Sequence, residues 1–191
     1  MTCTILLIRH GETEWNLQRR FQGRADISLN DRGYIQAEKV AHALVGQQIN
    51  LIYTSPLTRT KQTAKVIGHK LKVDVLVRHP LIERSFGTLE GMLRTEAEEK
   101  WGGITDKIIV KCGGEAVEDV QTRGWAVLQE IRKRHIDQII VAVSHGAWIS
   151  AITSKLRSCL NEIVFGNCSI TKLVCNDHDE WNISTVNLLL S

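Results

Sequence analysis

Short apolar runs alternating with stretches of helical period set the main constraint on this chain. The runs occupy residues 4–8, 51–53, 73–77 and 138–143, each bounded by turn-forming residues. Between the first two, residues 31–48 place Ala37, Val40, Ala41 and Leu44 on one helical face. After the second run, Ser55-Pro56 reads as an N-cap followed by proline at the first helical position. The helix predicted to follow aligns Ala64, Ile67, Gly68 and Leu71. Val117, Val120, Gly124, Val127, Leu128 and Ile131 make a further stripe before the run at 138–143. Strands joined by helices of crossover length predict a largely parallel sheet covered on both faces.

The rest of the chain departs from this rhythm in two places. Ile170–Cys175 and residues 181–186, separated by the turn-rich 176–180, read as a closing antiparallel hairpin. Residues 86–114 are glycine-punctuated, with a helix expected only over 94–101. They read as an excursion over one sheet edge, a lid or substrate wall within a single domain spanning 1–191.

Composition narrows the function classes. A net charge of +3 is too small to argue for a nucleic-acid or membrane partner, and Arg132, Lys133 and Arg134 read as a solvated helix end. The five cysteines (Cys3, Cys112, Cys159, Cys168, Cys175) are odd in number and contain no CxxC pair. They fit reduced thiols and a cytoplasmic location better than a disulfide framework or a thiolate metal site. No basic region followed by a long apolar stretch opens the chain, so neither a secretory leader nor an anchor is expected. A GxxxxGK phosphate loop and a GxGxxG turn are both missing, which leaves a nucleotide cofactor without support. The five tryptophans are scattered rather than interleaved with basic residues, and packing accounts for most of them.

Parallel sheets bind ligands at the carboxyl ends of their strands. The first strand ends in Arg9-His10-Gly11, and the second in Thr54-Ser55-Pro56, leading to Arg59. The third leads through His79-Pro80 to Glu83-Arg84, and the fourth ends in Ser144-His145-Gly146. Two histidines followed by glycine would therefore share a rim with arginines and a glutamate.

The chemistry suits phosphoryl transfer. A neutral imidazole is a competent nucleophile towards phosphorus. An arginine fork matches phosphoryl oxygens and keeps its charge, and a second histidine, cationic among anions, would offset charge on those oxygens. A carboxyl group would protonate a departing alkoxide and later activate water. Arginines repel a divalent cation, which argues against a metal centre. His42, His69, His79, His135 and His178 lack a comparable setting and read as structural or exposed.

LIRHGETEWN resembles the motif of the histidine phosphatase superfamily, the phosphoglycerate mutase-like proteins. The resemblance continues through RFQGRADISLNDRGYIQA, YTSPLTRTKQTA, LIERSFGTLEG, VSHGAWISAI and NCSIT, nearly the whole chain. It implies a three-layer α/β/α sandwich with a mostly parallel central sheet and an antiparallel edge strand. His10 would become a phosphohistidine, with Arg9, Arg59 and His145 completing the phosphate pocket and Glu83 acting as proton donor, then base. Asn16, Gln22 and Gly23 match pocket-lining positions. No metal or organic cofactor is implied.

Mutases that resemble this chain carry a longer insertion after the acid/base glutamate, a tyrosine shortly after it, and a paired-arginine carboxylate site. Here Phe86 replaces the tyrosine and 86–114 has no Arg-Arg pair. These departures favour a phosphatase acting on small phosphorylated metabolites, with phosphoglycerate mutase as the alternative. Ala116 stands where serine is common in the family, so the adjoining helix cap is expected to differ. Arg84, Arg94, Lys100 and Trp101 are candidates to touch the substrate's distal end. The oligomeric state stays open, a homodimer being one option.

Overall fold

The computed structural model describes residues 2–157, 160 and 163–190. Among the described residues, six strands and seven helices follow one another as β1 (Cys3–Arg9), α1 (Glu14–Leu17), α2 (Asp31–Ala43), β2 (Ile49–Thr54), α3 (Thr58–Leu71), β3 (Val75–Val77), α4 (Arg94–Trp101), α5 (Asp106–Lys111), α6 (Val117–Arg134), β4 (Ile139–Ser144), α7 (Gly146–Leu156), β5 (Ile170–Cys175) and β6 (Trp181–Leu188). Short 3-10 turns at His79–Leu81 and Gly87–Leu89 complete the described elements.

The sheet order is β3-β2-β4-β1-β5-β6. β1, β2, β3 and β4 pair in parallel, whereas β5 pairs antiparallel with both β1 and β6. The strand that opposes the others is therefore β5, one place inside the edge, and β6 returns beside it. Alternation along β1 divides the interior: Ile5 and Leu7 pack with α6 and α7, while Leu6 and Ile8 pack with α2 and α3. The architecture is the expected three-layer sandwich, and each buried Leu or Ile contributes roughly 1.5–3 kcal/mol.

Several boundaries differ from the sequence reading for local reasons. Ser55 does not cap α3: the cap position is Leu57, which supplies no side-chain bond, and the helix starts at Thr58. β3 covers only the last three residues of the run at 73–77, because Val73 still donates its N–H to Gly68 O beyond the end of α3. Arg132 is not solvated. Its guanidinium reaches Asn176 O at 3.3 Å and Asp179 at 3.2 Å. Ala116 indeed leaves α6 without a cap of its own, and Asp106 of α5 accepts the Val117 N–H at 3.1 Å instead.

Residues 86–114 carry more helix than expected, because α5 joins α4. Phe21, Phe86, Leu89, Ala97, Ile109 and Cys112 form a small cluster separate from both sheet faces. Cys3, Cys112, Cys168 and Cys175 are free and buried, while Cys159 lies outside the described residues. His135 bridges Tyr53 and Gln138 at 2.9 and 2.8 Å, a structural role. Among the described residues, no helix is long and apolar enough to cross a membrane.

Candidate active site

The parallel register of β1, β4 and β2 levels their carboxyl ends. Arg9 lies opposite Ser144, and Thr54 opposite Val143. His10 and His145, each one residue beyond its strand, meet edge to face with ring centroids 5.2 Å apart. Gly11 lets the α2 backbone approach closely beside His10, since a Cβ there would lie 2.4 Å from Gly33 O. The backbone beneath is secured from the far end of the chain, where Cys168 N–H donates to Arg9 O and Asn167 Nδ2 to His10 O.

His10 is buried, and its Nδ1 lies 2.7 Å from Gly11 O. A carbonyl only accepts, so Nδ1 carries the proton and Nε2 keeps its lone pair. Burial first, and then the Arg59 and Arg9 guanidiniums, hold this imidazole well below its ordinary value of 6.5. It is neutral at physiological pH.

Arg59, the second residue of α3, is fully buried. It donates through Nη1 to Ala25 O and through Nη2 to Gly23 O, both at 2.7 Å, and through Nε to His145 Nδ1 at 3.2 Å. Burial lowers it to about 10, partly opposed by Glu83, and it remains a cation at neutral pH. Gly23 places its carbonyl there at φ +53°, where a Cβ would fall 2.1 Å from Glu90 Oε1. Arg9 donates through Nη1 to Phe165 O, while its buried Nε has no hydrogen-bond partner among the described residues. Gln22 Oε1 is likewise buried and unpartnered. Unspent donors on a buried guanidinium suit an anion.

His145 differs from the expectation. Burial, then Arg59 and His10, depress it well below 6.5. Because Nδ1 accepts from Arg59, the neutral ring carries its proton on Nε2, which donates to Ser55 Oγ at 2.8 Å. It is a neutral ring engaged at both nitrogens, not a free cation, and it is fully buried between Arg59 and Ser55.

Glu83 sits at the amino end of α7. Its Oε1 accepts from Arg84 N and Trp148 N, both at 2.9 Å, and its Oε2 from Ala147 N at 3.2 Å. A helix N-terminus suits a carboxylate. Arg123 of α6 fixes the loop that carries it, donating to Pro80 O, Ile82 O and Glu83 O, and is itself paired with Glu115 at 2.8 Å.

Arg9, His10, Arg59 and Glu83 line a cavity of about 220 Å³ that also takes in Asn16, Gln22, Gly23 and Phe86. Asn16 spends its Oδ1 on Thr13 and Asn167, which orients the amide. Arg84 is not brought to the cavity: its guanidinium is taken by Glu115 O and Asp106. Arg94 does line it, stacked 4.5 Å over the Phe21 ring, as does Arg20, which sequence reasoning missed. Lys100 lies on the Trp101 ring at 4.6 Å, and neither residue reaches the cavity. Ser55 and Arg123 were also missed as site residues, although Ser55 had been singled out as a cap. Among the described residues, no group of three or more His, Cys, Asp or Glu side chains could hold a metal ion.

A neutral imidazole with a free nitrogen, walled by guanidiniums at the carboxyl ends of a parallel sheet, defines a phosphoryl-transfer enzyme. The chain belongs to the histidine phosphatase superfamily (branch 1), whose family model matches residues 5–189. It is 33% identical over 189 residues to phosphoglycerate mutase-like protein 4 of Arabidopsis thaliana, covering 94% of this chain and 82% of that one. To phosphoserine phosphatase 1 of Hydrogenobacter thermophilus it is 38% identical over 148 residues, covering 74% and 70%. Among solved structures, the phosphoserine phosphatase of Entamoeba histolytica in complex with 3-phosphoglyceric acid superposes with a TM-score of 0.84 at 30% identity, covering 97% of each chain.

Proposed function

We propose that this protein is a metal-independent phosphatase that hydrolyses small phosphate monoesters through a phosphohistidine on His10. The observation that carries the reading is the Nδ1–H···O=C bond from His10 to Gly11, which leaves Nε2 unprotonated beside Arg9 and Arg59. Nε2 attacks phosphorus and the bond to the ester oxygen breaks. Arg9, with its unspent Nε–H, and Arg59 offset the negative charge on the phosphoryl oxygens.

Glu83 delivers a proton to the leaving oxygen. Its Oε2, with one backbone partner against two on Oε1, has the lone pair to spare. The resulting carboxylate then takes a proton from water, which attacks the phosphohistidine and releases inorganic phosphate. Arg20 and Arg94 also line the cavity. They favour a leaving group that carries a carboxylate, in keeping with relatives named for phosphoserine and crystallised with 3-phosphoglyceric acid.

The test is to trap the intermediate. A labelled phosphate ester, quenched in alkali where phosphohistidine survives, is expected to label the native protein and leave His10→Ala unlabelled. Equal labelling of the variant would remove the mechanism. A second reading, phosphoglycerate mutase, draws on the mutase-like relative. Incubation with 3-phosphoglycerate separates the two, free phosphate marking hydrolysis and 2-phosphoglycerate marking transfer.

A further inference from the structure

We infer that Ser55 is a positioning residue for phosphoryl transfer: its hydroxyl fixes the tautomer of His145 and, through that ring, the orientation of the Arg59 guanidinium. The inference rests on Arg59 serving the phosphoryl group as proposed above.

Ser55, His145 and Arg59 are all fully buried, which favours their bonds to one another over bonds to solvent. The Ser55 backbone is pinned on both sides, its N–H donating to Val143 O and its carbonyl accepting from Thr60 Oγ1, each at 3.1 Å. The hydroxyl therefore sits at a fixed point 2.8 Å from His145 Nε2. It accepts the Nε2 proton, and the other ring nitrogen is left as an acceptor.

That acceptor meets the Nε–H of Arg59 at 3.2 Å. The two Nη groups are held by Ala25 O and Gly23 O, and the bond at Nε is the third point that fixes the plane of the fork. With the proton on Nδ1 instead, two N–H groups would point at each other across 3.2 Å. Arg59 would have to turn away, leaving a buried donor unpaired. An imidazolium makes the same clash. The residue opposite Nε2 must therefore accept a hydrogen bond without bringing a negative charge that favours the cation. Serine meets that requirement, whereas a carboxylate, the commoner partner of an active-site histidine, does not.

A plain structural role predicts something different. Ser55 Oγ also accepts the Leu57 N–H at 3.3 Å, and if that bond were its whole contribution, substitution would lower stability without touching the tautomer. Histidine-labelled 15N NMR on the native protein, with the His145 signals assigned by their loss in His145→Gln, distinguishes the cases. The expected result is an unprotonated Nδ1 and a protonated Nε2 at neutral pH. Ser55→Ala should blur that tautomer and lower kcat/KM for an aryl phosphate about tenfold or more, and Ser55→Thr should restore both.

A His145 protonated on Nδ1 in the native protein overturns the inference, as does a Ser55→Ala variant with native tautomer and native kcat/KM. Should Ser55→Ala not fold, the native spectrum and the threonine variant still decide. A native protein that hydrolyses no phosphate ester would defeat the proposed function while leaving the tautomer measurable.

Discussion

Glu83 and Trp148, 65 residues apart in sequence, meet where the Trp148 backbone N–H donates to Glu83 Oε1 at 2.9 Å. That bond ties the proposed acid/base group to the first turn of the helix that follows His145. It places Glu83 by main-chain donors, which no substitution in α7 other than proline removes.

Substitution of Glu83 by glutamine keeps the acceptor at one oxygen and abolishes proton transfer. With an aryl phosphate, whose leaving group needs little protonation, phosphorylation of His10 should persist while hydrolysis slows by about 10²–10⁴-fold. Rapid-quench kinetics should then show a burst of one phenolate per protein followed by a slow phase. A proportionate loss of both phases would assign Glu83 to another task.

The depressed histidines carry a stability signature. In the folded protein His10 and His145 stay neutral below 6.5, whereas in the unfolded chain they bind protons from about 6.5 downward. The unfolded state thus holds more protons below that point. The contribution is complete above pH 6.5 and shrinks as pH falls, with a slope of up to about 1.4 kcal/mol per pH unit per histidine. Urea unfolding between pH 7.5 and 5 should show this slope, and His145→Gln should flatten it.

Arg123 spans Pro80 O, Ile82 O, Glu83 O and the Glu115 carboxylate. Burial would raise Glu115, but Arg123 and Arg24 outweigh it and hold the carboxyl below its ordinary value. Arg123→Leu should destabilise the protein by on the order of 3 kcal/mol. It should also lower kcat at temperatures where the variant is fully folded, because the Glu83 loop loses its clamp. An unchanged kcat would limit Arg123 to stability.

Arg94 lies over Phe21 at the cavity wall, where burial lowers its pKa and the Glu98 and Glu83 carboxylates oppose that. Arg94→Ala should lower kcat/KM for phosphorylated carboxylic acids about tenfold while leaving neutral aryl phosphates within about twofold. A parallel loss for both classes would place Arg94 on the phosphoryl group instead.

What was legible in the sequence followed from periodicity and strand ends. Residues 4–8 and 138–143 alternate across two buried faces, so their strand character and parallel pairing showed directly. α7 did not show, because GAWISAITSKL buries Trp148, Ile149, Ala151 and Ile152 and presents little polar face to set a period. The convergence of His10, Arg59, Glu83 and His145 was readable from topology. The neutral state of His145 was not, since it follows from burial beside Arg59, 86 residues away. Arg84 misled for a similar reason: its neighbour Glu83 lines the cavity, but Arg84 pairs with Asp106, a partner that only the folded 86–114 segment supplies.

The cluster of Phe21, Phe86, Leu89, Ala97, Ile109 and Cys112 is packed apart from the two sheet interiors. Substitutions within it can therefore reshape the wall facing the leaving group without disturbing the layers that align the histidines and arginines. On the proposed reading, the part expected to set selectivity is packed apart from the strands that carry the reacting groups, so the two can be altered separately.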